Sequence, residues 1–209
     1  IEVKNLSFKF SEKIFFKNFN ILIKKNSFIG IKGASGSGKS TFLNMISGLI
    51  KPQEGEILVD GINIFENIKE WRNKLGYVSQ SVFLIDDSIK KNIAFGLEDK
   101  DIDYTKLNIA IQNSGLSNYI NSLESKENTI VGERGIRISG GQKQRIGLAR
   151  ALYFSPEVLI LDEATNSLDK ETEDNILKEL LKIKDKITLI IVSHENEPLK
   201  IADKIYDLN

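Results

Sequence analysis

Phe28-Ile29-Gly30-Ile31-Lys32-Gly33-Ala34-Ser35-Gly36-Ser37-Gly38-Lys39-Ser40 is the stretch on which the fold turns. An apolar run gives way to a glycine-rich loop, and from Lys39 to Ile50 apolar residues return at helical spacing, at Phe42, Met45, Ile46 and Leu49. The order is therefore strand, loop, helix. Residues Gly33 to Ser40 fit the pattern Gly-x-x-x-x-Gly-Lys-[Ser/Thr]. Glycines let the main chain wrap closely enough for successive N–H groups to point at one anion, and a helix N-terminus adds positive potential. Lys39 can then reach β- and γ-phosphates, and the Ser40 hydroxyl can ligate Mg²⁺. Such a set favours a triphosphate, and alone it suits a kinase, a GTPase or a helicase equally well.

Working outward, Val158-Leu159-Ile160-Leu161 and Ile187-Thr188-Leu189-Ile190-Ile191-Val192 are continuously apolar and rich in branched residues. Strands buried on both faces read this way, so these two belong in the centre of a largely parallel sheet. The first run ends in Asp162-Glu163, at the carboxyl edge where open α/β sheets bind ligands. Strand alternation is expected to send the two carboxylates in different directions, Asp162 towards a Mg²⁺ shell and Glu163 towards an attacking water as general base. The first sixty residues differ, alternating from Ile1 to Phe10 and turning at Asp60-Gly61 between Glu56–Val59 and Ile62–Ile64, which predicts an antiparallel β-lobe. From about Asp87 to Phe154 the spacing turns helical. Tyr104 to Ser114 is stopped by Gly115, and Ser139 stands at the N-cap of a helix that must end before Pro156. An inserted helical lobe, drawn at about 82–155, follows. The fold class expected is α/β: a P-loop NTPase (RecA-like) parallel-sheet core with an N-terminal antiparallel β-lobe and an inserted α-helical lobe.

Composition narrows the chemistry. The 209 residues contain no cysteine and one histidine, which excludes disulfides, thiolate metal sites and multi-histidine metal sites, so any metal is held by oxygens. Lys+Arg and Asp+Glu are both 29, and this zero balance lacks the basic field of a duplex-binding protein, so no nucleic acid is expected as partner. No apolar run reaches membrane-spanning length, so the chain reads as water-soluble. Trp71 in a charged stretch reads as a partly buried anchor, and Asp86-Asp87 and Lys182 to Lys186 read as solvated surface.

Ile138-Ser139-Gly140-Gly141-Gln142, about twenty residues before the carboxylate strand, resembles the signature sequence of ABC ATPases. Ser139 would cap a helix whose N-terminus faces outward and, with the Gly140 amide, form a second anion-binding surface. The resemblance runs in order across essentially the whole chain. It implies an ATP hydrolase with ATP and Mg²⁺ as cofactors, the nucleotide held by Gly33, Ala34, Ser35, Gly36, Ser37, Gly38, Lys39, Ser40, Thr41 and Asp162. Phe10 takes the place of the aromatic that stacks on adenine. Gln80, after Leu75–Ser79, is similar to the glutamine that contacts Mg²⁺ and the attacking water, so the implied metal set is Ser40, Gln80 and Asp162. His194 resembles the switch histidine on the γ-phosphate, completing a catalytic set with Glu163 and Gln80. Ser167-Leu168-Asp169 resembles the loop that crosses a dimer interface. Ile138, Ser139, Gly140, Gly141, Gln142 and Asp169 are then implied to serve a second subunit's ATP in a head-to-tail dimer of equivalent domains.

Val131-Gly132-Glu133-Arg134-Gly135, and the stretch from Gln80 to Leu84 through Ser88 to Ile93, resemble exporter-type members. This implies contact with a transmembrane domain of the same transporter, expected N-terminal to a chain that starts within a strand at Ile1, and a place on the cytoplasmic face of the plasma (inner) membrane. Three positions depart from the family pattern: Phe10 for tyrosine, Ile138 for leucine, and Glu195 where exporters carry a basic residue. A soluble ABC ATPase of DNA repair or translation, an importer-type subunit and a non-hydrolysing ATP sensor remain as alternatives.

Overall fold

The computed structural model describes residues 1–165, 168–194 and 198–208. In chain order its strands and α-helices are β1 (Glu2–Phe10), β2 (Lys13–Leu22), β3 (Phe28–Lys32), α1 (Lys39–Ile46), β4 (Glu54–Val59), β5 (Ile62–Asn63), α2 (Ile68–Asn73), β6 (Leu75–Val78), α3 (Ile89–Ile93), α4 (Tyr104–Asn113), α5 (Ser117–Asn121), α6 (Gly140–Tyr153), β7 (Val158–Asp162), α7 (Lys170–Ile183), β8 (Thr188–Val192) and β9 (Lys204–Asp207). They build two sheets. The alternating N-terminal segments pair antiparallel in the order β2-β1-β4-β5, with β4 and β5 joined at Asp60-Gly61. The continuously apolar runs form a parallel sheet in the order β6-β7-β8-β3-β9, with β8 at its centre.

Side-chain alternation divides the interior. Ile160, Ile190 and Val192 pack on one face with Phe42, Leu43, Met45 and Ile46 of α1 and with the inner side of the antiparallel sheet. Leu159, Leu161, Leu189 and Ile191 pack on the other face with Ile176, Leu177, Leu180 and Ile183 of α7. Both faces are covered, which is why these strands carry no polar alternation. The segment from Leu84 to Tyr153 has its own apolar cluster, in which Leu107, Ala110 and Ile111 of α4 meet Ile146, Ala149 and Tyr153 of α6. Trp71 is more deeply buried than the sequence suggests, at 5% exposure, and its indole N–H donates to the Ile46 carbonyl at 2.7 Å.

One helix is shorter than its periodicity predicts. α1 ends at Ile46, because Gly48 adopts a left-handed φ of 69° and its N–H and that of Leu49 fold back onto the carbonyls of Met45 and Asn44. This glycine-terminated cap leaves Leu49 exposed instead of in the core.

Candidate active site

A cleft of about 570 Å³ opens at the carboxyl edge of the parallel sheet, lined by Phe15, Ser35, Gly36, Gly38, Lys39, Ser40, Thr41, Gln80, Asp162, Glu163 and His194. β3 delivers the loop and α1 receives it. Gly38 caps α1 with a left-handed φ of 100°, and a Cβ there would press within 3.1 Å of the Phe15 and Phe16 rings, so the position requires glycine on both counts. Lys39 is 7% exposed, and its Nζ donates to the carbonyls of Gly33 (2.8 Å) and Ala34 (3.1 Å). Among the described residues the buried Ser37 hydroxyl has no hydrogen-bond partner. A buried cation, an unsatisfied hydroxyl and a helix N-terminus gathered on one loop fit a polyphosphate. The neighbouring donors Ser40, Gln80 and Asp162 are all oxygen-bearing, the ligand type that Mg²⁺ takes. Among the described residues no group of three or more acidic or histidine side chains is gathered to hold a metal. A Mg²⁺ ion at Ser40 and Asp162 would share its remaining positions with phosphate and water.

The two carboxylates do not diverge by alternation as the sequence predicts. β7 ends at Asp162, and Glu163 takes a left-handed φ of 51°, its N–H donating to the Val192 carbonyl at 3.0 Å. The kink turns Glu163 into the same cleft as Asp162. For a non-glycine residue that conformation costs about 1–3 kcal/mol, and such strain concentrates at functional positions. Glu163 Oε1 lies 3.7 Å from Lys39 Nζ and 3.8 Å from His194 Nδ1.

Burial raises the Asp162 carboxyl above its ordinary value of 3.8, and Glu163 pushes the same way, while a hydrogen bond from Tyr77 and the charge of Lys39 oppose it. A carboxyl raised on folding contributes stability that is lost as pH rises upward from 3.8 through its folded value. Asp162→Asn, which cannot ionise, is therefore expected to unfold at a higher temperature than wild type at pH 7. The gain should close as the pH is lowered through the carboxylate range, as followed by thermal denaturation at a series of pH values.

Gln80 lines the cleft and is tied by its main chain to the helical segment. The buried Gln144 side chain of α6 donates from Nε2 to the Gln80 carbonyl at 2.6 Å. One turn on, Gly147 leaves room for Val82, whose Cγ2 would stand 2.5 Å from a Cβ at that position. Another turn on, Arg150 donates to the Phe83 carbonyl at 2.9 Å and to the Asn92 carbonyl at 2.7 Å. Three positions on successive turns of one helix thus hold residues 80, 82 and 83.

The remaining site positions fall elsewhere. Ser139 caps α6 as expected, and its hydroxyl accepts from the Gln142 N–H while the Gln142 side chain accepts from the Ser139 N–H. Ile138 is buried in the helical cluster, and none of Ile138, Ser139, Gly140, Gly141 and Gln142 lines the cleft. Asp169 also lies off the cleft, where it caps α7 by accepting from the Thr172 N–H (3.0 Å) and hydroxyl (2.7 Å), bonds that hold its carboxyl below the usual range. A Cβ on Gly141 would lie 2.7 Å from Thr172 Cγ2, so the signature and Asp169 neighbour each other through Thr172. Phe10 is 73% exposed and is not among the lining residues; Phe15 is the aromatic that lines the cleft. Lys13 stands over the Phe15 ring at 5.0 Å and donates to the Gly36 carbonyl at 2.9 Å. Neither residue is marked in the sequence, because an alternating strand does not reveal which of its residues overhangs a loop about twenty positions on. Ser167 and Glu195 lie outside the described residues.

Comparison with known proteins bears on this geometry. The family model described as ABC transporter matches residues 16–166. ABC transporter B family member 21 of Arabidopsis thaliana is 39% identical, aligned over 98% of this chain and 16% of its own length. The alpha-hemolysin translocation ATP-binding protein HlyB of Escherichia coli O157:H7 is likewise 39% identical, over 98% of this chain and 29% of its own length. A solved structure described as a bacterial Atm1-family ABC exporter with ATP bound superposes with a TM-score of 0.90 at 32% identity, covering all of this chain and 36% of the other. The chain thus spans under a third of the length of these curated relatives. With the phosphate-binding loop, the strand-end carboxylates and the two-sheet fold in place, the matches establish that the chain is an ATPase domain belonging to the ABC transporter family.

Proposed function

We propose that this chain is the nucleotide-binding domain of an ABC exporter, residues 1–209 with a helical lobe at about 82–155, and that it hydrolyses Mg-ATP in a head-to-tail dimer of such domains. The observation that carries this reading is the division of the motifs: Lys39, Ser40, Gln80, Asp162, Glu163 and His194 converge on one cleft, while Ser139 to Gln142 lie away from it. A second anion-binding helix N-terminus that serves no phosphate in its own chain is suited to one bound by another chain.

In the reaction, Lys39 exchanges the Gly33 and Ala34 carbonyls for phosphate oxygens, and the loop amides neutralise charge on the β-phosphate. Glu163 takes a proton from the water whose oxygen attacks the γ-phosphorus in line, as the bond to the β–γ bridging oxygen breaks and ADP and phosphate result. His194, beside Glu163, is placed to hold the γ-phosphate, and the main chain of Gln80 carries the helical segment with it. Ser40 and Asp162, with Gln80 beside them, would hold Mg²⁺, which would supply charge neutralisation to the phosphates. The export role draws on the relatives: HlyB is named for translocation and the structural neighbour is an exporter. No helix among the described residues is long and apolar enough to cross a membrane, and the reading assigns that task to a transmembrane domain, with the ATPase on its cytoplasmic face.

Complementation tests the shared site. Lys39→Ala removes the phosphate cation, and Gly140→Asp sets a negative charge at the signature, where an added Cβ meets no described atom within 4 Å. Each variant alone should fail to release phosphate from Mg-ATP. An equimolar mixture at high protein concentration should recover part of the wild-type rate, because a mixed pair contains one intact composite site. A mixture as inactive as its components would overturn the head-to-tail arrangement.

A further inference from the structure

Tyr77 belongs to none of the motifs above, yet its hydroxyl donates to Asp162 Oδ2 at 2.7 Å across 85 positions of sequence. β6 is an edge strand and pairs in parallel register with β7, Tyr77 opposite Ile160, so the ring reaches along the sheet to the end of the neighbouring strand. The bond has the length of a charge-assisted O–H···O⁻ contact. Packing alone does not require this tyrosine, because the side chain is 38% exposed and a phenylalanine would cover the same surface. Nor does another group do the work: Lys39 Nζ is committed to Gly33, Ala34 and Glu163. Among the described residues Asp162 Oδ1 receives no hydrogen bond, and the residue lines the cleft with Ser40 and Gln80.

We propose that Tyr77 is the positioning residue of the metal site, pinning Asp162 by Oδ2 so that Oδ1 is offered to a divalent cation, and thereby setting the affinity of the nucleotide-bound site for that cation. This rests on the reading that Asp162 serves the metal. A hydrogen bond that fixes a ligating carboxylate commonly governs metal affinity by 10- to 100-fold, and an exposed single donor belongs at about the lower end.

Tyr77→Phe tests it without turnover. In a Glu163→Gln background, Mn²⁺ binding to the ATP-loaded protein is followed by electron paramagnetic resonance, and binding of a fluorescent ATP analogue is measured separately in EDTA. The expected result is Mn²⁺ affinity lowered about tenfold, with metal-free nucleotide affinity unchanged. Equal Mn²⁺ affinity with and without the hydroxyl would overturn the proposal, as would parallel loss of both affinities, which is the mark of a merely structural tyrosine. An Asp162→Asn control separates the two readings: if it too binds Mn²⁺ like its parent, the assignment of Asp162 fails and takes this inference with it.

Discussion

Glu163→Gln should lower ATP turnover by about three orders of magnitude while leaving ATP affinity within a few-fold of wild type. The substitution keeps the size of the side chain and removes the basic oxygen that would accept a proton from water. Glu163 lines the cleft beside the phosphate-binding loop, and its Oε1 lies 3.7 Å from Lys39 Nζ, a distance at which charge matters more than hydrogen-bond geometry. Losing that charge frees Lys39 for phosphate, which favours binding, so affinity and turnover should move apart. The checks are single-turnover phosphate release and equilibrium binding of ATP, with sedimentation in ATP showing more dimer than for wild type. Phosphate release at the wild-type rate would remove Glu163 from the role of general base.

Lys39→Ala acts on the other arm, with ATP affinity expected to fall about 100-fold. Two charge-assisted hydrogen bonds to phosphate contribute roughly 1.5–3 kcal/mol each before competing losses. The competition is visible in this structure, where the ammonium already donates to Gly33 and Ala34 and must give up those bonds to bind phosphate. Neutral carbonyls bind it less tightly than a polyphosphate does, so about 3 kcal/mol survives, or two factors of ten. Some folding stability goes as well, since a cation that is 7% exposed leaves carbonyls behind it. Isothermal titration with ATP reads the first effect and denaturant unfolding the second. Affinity within threefold of wild type would show that the loop amides alone hold the phosphates.

Much of the fold is legible in the sequence because its signals are local. Val158–Leu161 and Leu189–Val192 announce a doubly covered sheet by apolarity alone, Asp60-Gly61 announces a hairpin, and Gly115 and Ser139 mark helix ends where the structure has them. What escapes reading is of two kinds. β9, with Lys204-Ile205-Tyr206-Asp207, sits at a sheet edge and needs little apolar surface, so its pattern does not stand out from a loop. The other kind depends on geometry that periodicity does not encode. Alternation describes Glu163 only while the strand continues, and the strand stops one residue earlier. Phe15, Lys13 and Tyr77 acquire their places at the cleft from elements far away in sequence, and no spacing rule reports such encounters. The candidate site was legible wherever loop and strand end carry it, and opaque where tertiary packing brings residues to it.

The grip of α6 on residues 80 to 83 has a genetic consequence. Gln144 holds the carbonyl of Gln80, not its amide side chain. A change of side chain at Gln80 therefore alters a residue that lines the cleft but leaves the linkage to the helix intact. A change at Gln144 does the reverse, removing the bond to the helix while the residue at the cleft keeps its side chain. Cleft lining and helix linkage, joined at one residue, are thus separately mutable, and a double substitution would show whether the effect of one is transmitted through the other.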